Sequence, residues 1–373
     1  DYESFIKNYN LGINKNDLKA IIEYFKLEKR NPTLVELKLI DTYWSDHCRH
    51  TTFNTKITDI QIDRSFLSSE LNEALDLYID VRKDLKRDNR RFSLMDMATI
   101  GAKYLKRVGK LNDLVKNGET NAFSLKTDVT VDGKKEKWIL QFKNETNNHP
   151  TEMDPFNGAA NCIGGTARDL IADRARIFQG MRISGAADIY KNPNETIEGK
   201  LPQRIISTNA AFGASNYANL AGIPTSYVRE IYHDDYVAKR LESSLLVGAS
   251  KVSDVRRERP KDGDFILLVG NKTNIEGVGS AVMSSQEHNA TSLKNTGLSL
   301  QSANPSTASK FARLMRRKEA TRLIKKANDL GAGGIGVGVS ELYSGVEIWL
   351  DDVLVKNNKI NTLDLLLSET QER

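Results

Sequence analysis

The chain has 373 residues, 39% of them hydrophobic and 28% charged, with Lys+Arg 54 against Asp+Glu 49 and two cysteines. That length predicts two or three domains with ample material for a core. The basic residues are scattered through mixed-charge runs such as Lys83 to Arg91 and Arg256 to Lys261, so no nucleic-acid partner is expected, and no run is apolar enough to span a membrane.

Cys48 and Cys162 cannot build a disulfide framework, and no signal peptide opens the chain, so the expected compartment is reducing and cytoplasmic. The four Asn-x-Thr sequons, at Asn144, Asn194, Asn271 and Asn289, then read as chance matches. The chain begins at Asp1 without a Met and ends on Ser368-Glu369-Thr370-Gln371-Glu372-Arg373 with no terminating turn, which fits a fragment or a processed chain.

Residues 1 to 50 read as a small helical module. Asn16 can cap a helix whose Leu18, Ile21, Ile22 and Phe25 form one apolar stripe, and Thr33 with Glu36 makes a capping box for a second helix carrying Leu37, Ile40 and Trp44. That helix delivers Asp46-His47-Cys48-Arg49-His50 at its C-terminal end, where the helix dipole favours cations. The cluster raises a metal question, although its spacing is not that of a closed zinc site.

Residues 51 to 255 mix helices and strands: helices near 68 to 84 and 94 to 107, then strands at 123 to 131 and 136 to 145 joined through Asp132-Gly133. Arg176 to Gly185 and Arg204 to Gly213 read as further strands, followed by a helix near 215 to 222. The polar segment Arg256 to Asp264 marks a domain boundary, with residues 256–373 forming a second domain. That domain is expected to hold a strand at Phe265 to Val269, a helix near 308 to 328, a glycine-rich loop at 329 to 334, a helix to about 344, and a strand at Glu347 to Leu350. The loop's GAGGIG follows a helix, not a strand, which argues against a dinucleotide site. Asp329 at its mouth either holds a cation or stabilises the turn.

Lys143 to Asp169 combines a polar strand end, a proline and a run of glycines. Trp138, Leu140 and Phe142 alternate with Ile139, Gln141 and Lys143, so continued extension would place Lys143, Glu145, Asn147 and His149 on one polar face. The segment Gly158-Ala159-Ala160-Asn161-Cys162-Ile163-Gly164-Gly165-Thr166-Ala167-Arg168-Asp169 then reads in two ways. It is a turn whose backbone cradles phosphate, or a site of tight helix packing through glycine. It lacks the ending of a P-loop. His233 and His288 lie in polar stretches and read as surface or packing residues.

Six ordered segments together resemble one family: DTYWSDHCRHTTF at residue 41, FKNETNNHPTEMDPFNGAANCIGGTARD, Gly199-Lys200-Leu201-Pro202-Gln203-Arg204, Ile231-Tyr232-His233, DLGAGG and SETQER. The family is phosphoribosylformylglycinamidine synthase, the formylglycinamide ribonucleotide amidotransferase of purine biosynthesis, and the resemblance is to the N-terminal synthase half of its large form. It implies an α+β fold: a helical linker module (1–50), a domain like the N-terminal, β-barrel-forming part of aminoimidazole ribonucleotide synthetase (51–255), and a truncated C-terminal α/β domain (256–373). It also implies conversion of formylglycinamide ribonucleotide to the amidine with ATP, Mg²⁺ and ammonia. The partners implied are a second synthase half with a glutaminase domain, or a homodimer mate.

Carried over by position, the resemblance makes His47 the active-site histidine, Gly158 to Asp169 with Lys143 and His50 the nucleotide contacts, and Glu145, Asp169 and Asp329 metal ligands. Thr146, Asn148, His149, Arg168, Glu369, Thr370 and Gln371 become substrate contacts. Asn147 stands where the family's E-[ST]-H-N-H-P pattern has a proton-accepting His, and an amide cannot take up a proton near neutral pH. Thr273-Asn274-Ile275-Glu276-Gly277-Val278-Gly279-Ser280 likewise departs from T-G-R-D-G-x-x-G. No glutaminase nucleophile set can be assembled around the two cysteines, so ammonia would come from a partner or from solution. Two alternatives stand: a diverged, non-catalytic nucleotide-binding or scaffold protein of the same fold, and another synthetase of the superfamily.

Overall fold

The structure, a computed structural model, describes residues 1–116, 119–286 and 300–373; His288 and the Asn289 sequon lie outside them. The described residues divide into two compact units, one made of Asp1–Ser45 with Val115–Arg373, the other of Asp46–Leu114.

The first unit opens with α1 (Tyr2–Asn8), α2 (Lys15–Leu27) and α3 (Leu34–Tyr43). Asn14, not Asn16, caps α2, because its side chain reaches Asn16 N and Asp17 N while the Asp17 carboxylate returns to the Asn14 amide. Thr33 and Glu36 form the expected box on α3. Leu18, Ile21 and Phe25 of α2 pack with Leu37, Leu11 and Ile13 into a small core of their own. The buried Asp41 carboxylate ties the module together by accepting from the amides of Gly12 and Ile13 at 2.7 and 3.0 Å.

The second unit holds α4 (His50–Phe53), α5 (Ser68–Asp84) and α6 (Leu94–Arg107). Its one strongly polar anchor is Asp96 on α6, which is buried and takes Arg82, Arg87 at 2.6 Å and the Tyr78 hydroxyl at 2.7 Å.

In the first unit the chain resumes with β1 (Phe123–Val131) and β2 (Lys134–Thr146), an antiparallel hairpin turned by Asp132 and Gly133, both at positive φ. There follow α7 (Asn148–Met153), α8 (Pro155–Ala172), β3 (Arg176–Ala186), α9 (Gln203–Ala221), β4 (Thr225–Tyr232) and β5 (Leu241–Lys251). The strands form an open mixed sheet in the order β1-β2-β5-β3-β4, with only β3 and β4 parallel. Helix α8 lies on β2 and β5 with α9 against it. Ala159, Ile163, Ala167 and Leu170 of α8 meet Ala210, Ala214 and Tyr217 of α9 and Leu246 of β5 in the main core.

Several expectations are corrected. Residues 204–213 are helical, not a strand, because Ile206, Ala210, Ala214 and Tyr217 recur at helical spacing against α8. The polar strand face ends at Thr146, so Asn147 and His149 leave the extended geometry and His149 sits in α7. The face of β2 covered by α8 is the one carrying Ile139 and Gln141, both buried, while Trp138, Leu140 and Phe142 are only part-buried.

The remaining elements are α10 (Ser280–Ser285), α11 (Pro305–Leu314), α12 (Lys318–Thr321), α13 (Gly334–Ser340) and α14 (Thr362–Leu367). Residues 265–269 and 347–350 form no strand, and the helix expected over 308 to 328 is two short ones. Leu330, Ile335 and Val339 build a third core.

Candidate functional site

Helix α8 decides between the two readings of the glycine-rich segment. Gly158 to Asp169 is helix interior, buried throughout except for part-exposed Gly165 and Asp169. The Asp154 side chain caps the helix start by accepting from Asn157 N, so that terminus offers no cradle for phosphate. The glycines serve packing. A Cβ on Gly158 would fall 2.4 Å from Thr151 Cα, one on Gly164 3.0 Å from the Tyr217 ring, and one on Gly213 1.9 Å from the Phe156 carbonyl oxygen. Cys162 is equally internal: its thiol faces the carbonyls of Glu145 and Glu242 and the Ser244 hydroxyl, and burial pushes it up to about 12. The phosphate turn is therefore corrected to a helix whose chemistry lies at one end.

At that end five of the sequence candidates converge. Lys143 on β2 places its ammonium 2.9 Å from Glu145 and 2.8 Å from Asp169 of α8. Arg168, one residue earlier, turns its buried guanidinium to Asp329 at 3.2 Å and to Glu372 at 3.5 Å. Burial, then the neighbouring Asp329 charge, push the Asp169 carboxyl up to about 8 despite Lys143, and Glu145 adds to the rise. Burial alone would pull Lys143 down, yet Asp169 and Glu145 hold it above its ordinary value. The cation is over-satisfied and the carboxylates are not. For Arg168 too, the pull of burial is reversed by Glu372 and Asp329. Among the described residues no three His, Cys, Asp or Glu side chains converge in a metal-holding geometry. Ammonium and guanidinium stand among Glu145, Asp169 and Asp329, where a hard divalent cation would find oxygen donors of the kind Mg²⁺ takes.

The loop after β2 is fixed by its own hydrogen bonds. Asn147 donates its side-chain amide to the Gly158 carbonyl at 2.8 Å, and its backbone N–H pairs with the Glu242 carbonyl at 3.0 Å. Asn148 accepts from Glu242 N at 2.8 Å, Thr146 is exposed at the strand end, and His149 lies 3.4 Å from the buried Glu152 carboxylate. Asn147, Gly158 and Asn161 share a cavity with Ser280, Leu300 and Gln301 whose ≈ 10 Å³ holds about one water.

Glu369, Thr370 and Gln371 are placed differently from an open substrate loop: all three are buried. Glu369 accepts from Ala281 N and Gly333 N at 3.2 Å and from the Gln301 amide at 2.6 Å, and burial pushes it up to about 7. Gln371 is spent on Asn274 and Glu276. Thr370, Gln371 and Glu372 all take positive φ, a conformation costly for non-glycine residues.

His47 and His50 lie in the second unit. His50 opens α4 after Arg49 at positive φ, and the Asp46 carboxylate accepts from His50 N and Thr51 N at 2.7 and 3.0 Å. His233 is exposed and caps a short turn by accepting from Asp235 N.

Sequence reasoning missed Glu372, Tyr217 and Glu152, and the buried pairs Arg182–Glu242 and Arg174–Glu119. Glu372 stands one residue beyond the candidates in the SETQER segment, the only signal for it. The others are single charges on unremarkable elements.

An open mixed sheet backed by two helices, a helical N-terminal module and a glycine-turn domain carrying a buried carboxylate cluster define a class of ligase-type synthase portions. The family descriptions agree: residues 3–50 match the formylglycinamide ribonucleotide amidotransferase linker domain, and residues 261–373 match the AIR synthase related protein, C-terminal domain. The chain belongs to the PurL family of phosphoribosylformylglycinamidine synthase, as a distant homologue of its synthase portion along its whole length. Subunit PurL of Thermoplasma acidophilum is 26% identical over 98% of this chain and 42% of its own length. Two Thermotoga maritima PurL structures share the fold: the complex with FGAR at TM-score 0.61 and 23% identity, covering 94% of this chain and 46% of that one, and the complex with ATP at 0.57 and 21%, covering 95% and 45%. The chain thus spans about two fifths of the length of the curated relative.

Proposed function

We propose that this chain is the N-terminal synthase half of an ATP-dependent enzyme that converts formylglycinamide ribonucleotide to formylglycinamidine ribonucleotide with ammonia. The observation that carries the reading is the charged cluster at the end of α8, where Lys143, Glu145, Arg168, Asp169 and Asp329, drawn from three of the family segments, meet in one place. An amide oxygen leaves poorly. It accepts the terminal phosphoryl group of ATP, releasing ADP, and ammonia then adds to the activated carbon and expels phosphate. Mg²⁺ held by Glu145, Asp169 and Asp329 would neutralise phosphate charge, and the crowding that raises Asp169 is what such a cation relieves.

Arg168 and Lys143 are the donors this chain offers to anionic oxygens as charge develops. Arg168 would exchange its contact with Asp329 or Glu372 for a substrate oxygen. His47 is the histidine of the reading. Asn147 orients the loop through Gly158 and moves no proton. The sheet face opposite α8 carries Phe123, Ile183, Tyr227 and Ile231, each 38–45% exposed, which supports pairing with a second synthase half or a second copy.

The test is incubation of the chain, alone and with a second synthase half, with ATP, Mg²⁺, formylglycinamide ribonucleotide and ammonium chloride. Amidine and ADP in equal amounts are expected; substrate-independent ADP release points to another synthetase. Asn147 favours a second reading, a binding protein that keeps the fold without turnover. Nucleotide binding with no product, even with the second half present, would select it.

A further inference from the structure

Glu152, at the end of α7, is 3% exposed, and one of its oxygens receives three basic side chains. His149 Nδ1 lies at 3.4 Å, Lys200 Nζ at 3.3 Å and Lys239 Nζ at 3.3 Å, all on Oε1. The three arrive from different parts of the first unit: α7, the segment ahead of α9, and the segment ahead of β5. Lys200 stands in the Gly199 to Arg204 motif, which the cluster around Asp169 leaves without a task.

The neighbouring network makes the imbalance clear. Arg182 and Arg240 face Glu242 and Glu230, two guanidinium groups against two carboxylates at 2.5 to 3.1 Å, and nothing is left over. At Glu152, two ammonium groups and an imidazole share one oxygen at distances longer than a strong charge-assisted bond. Burial pushes the Glu152 carboxyl up, but His149, Lys239 and Lys200 together bring it below its ordinary value. The surplus is positive, and it reaches solvent: the Lys239 side chain is 53% exposed while Lys200 and His149 are 15% and 16%. A buried carboxylate that gathers cations it cannot neutralise is an organiser, holding donors at fixed spacing for an anion from outside.

We infer that Lys200, Lys239 and His149, held by Glu152, form a binding site for the dianion of a phosphate monoester. On the synthase reading, on which this identification of the ligand rests, the anion is the 5-phosphate of the ribonucleotide substrate, apart from the phosphates of ATP. Glu152 is a positioning residue there, and the lysines carry the charge.

Isothermal titration of the full chain with inorganic phosphate, then ribose 5-phosphate, tests the site. Binding of both is expected, with ADP failing to displace ribose 5-phosphate. Lys239→Met should weaken both about tenfold, the loss of one charge-assisted contact. Lys239→Arg should restore most of the affinity, and Lys137→Met, which removes an exposed lysine on β2, should change nothing. Because Lys239 is half exposed, its variants keep the fold, which an unchanged melting curve verifies. Absence of phosphate binding to the wild-type chain, equal binding by Lys239→Met, or displacement by ADP would each overturn the site. Turnover with an unchanged KM for formylglycinamide ribonucleotide in Lys239→Met would overturn it too while leaving the synthase reading intact. Phosphate binding that depends on Lys239 in a chain without turnover would support the site and remove the synthase reading.

Discussion

Arg168 on α8 reaches Asp329, 161 residues further along the chain, with its Nε 3.2 Å from the carboxylate. The contact joins the helix behind the sheet to the glycine turn that starts α13, and the same guanidinium also faces Glu372. Neither partner could be chosen from sequence, yet together they fix which face of α8 carries charge.

Removing Lys143 should be costly. Lys143→Met leaves Asp169 beside Asp329 and Glu145 with no ammonium, so unfolding free energy at pH 7 should fall by about 2 kcal/mol. Asp169→Asn removes the crowded charge instead. A carboxyl raised from its unfolded value to about 8 costs stability as pH climbs through that window, so Asp169→Asn should gain on the wild type above pH 8 and lose that advantage near pH 4. Urea denaturation of both variants at several pH values measures this.

Magnesium should stabilise the chain through the same carboxylates. At roughly five times its dissociation constant, Mg²⁺ should add about 1 kcal/mol, and Asp329→Asn should abolish the gain. The cation competes with the proton on Asp169, so its effect should grow between pH 6 and 8.5. Thermal shift with MgCl₂ against NaCl of equal ionic strength is the measurement.

Glu369 supplies a second, separable pH dependence. Its carboxyl is raised to about 7 by burial, so the folded chain binds its proton more tightly than the unfolded chain does. Stability present below about pH 4.5 should be lost as pH rises through 7, by on the order of 2 kcal/mol. Glu369→Gln keeps an acceptor for Ala281 N and Gly333 N and should flatten that slope.

Two glycines in one helix should behave oppositely. Gly158→Ala drives a Cβ into the Thr151 backbone and should cost 3 kcal/mol or more, roughly the upper range for overpacking. At Gly165 the nearest atom is Arg168 NH2 at 3.6 Å, so Gly165→Ala should add up to about 1 kcal/mol of helix propensity. Loss of stability in Gly165→Ala would contradict the helix.

Local signals carried much of the fold. Asp132-Gly133 between alternating residues announces the β1-β2 hairpin, and the periodic runs at 68–84 and 94–107 announce α5 and α6. Residues 204–213 misled because Ile205-Ile206-Ser207-Thr208 is a short apolar, β-branched run, and what settles it is contact with α8. Phe265 to Val269 has strand composition, but a strand needs a ladder partner and none pairs with it among the described residues. In the site, Lys143, Glu145 and Asp169 were legible as a motif. Their balance of charge was not, since it depends on Asp329 and on burial.

The middle of the sheet has a consequence for how the chain is made. β2 forms its hairpin with β1 at once, but its other edge pairs with β5, Thr146 with Ser243 and Trp138 with Lys251. During synthesis that edge stays open while about a hundred residues emerge, including α8 and α9. Closure of the sheet is a late, non-local step that should set the folding rate, and the nascent hairpin with its half-buried Trp138, Leu140 and Phe142 is the segment that most needs shielding until β5 arrives.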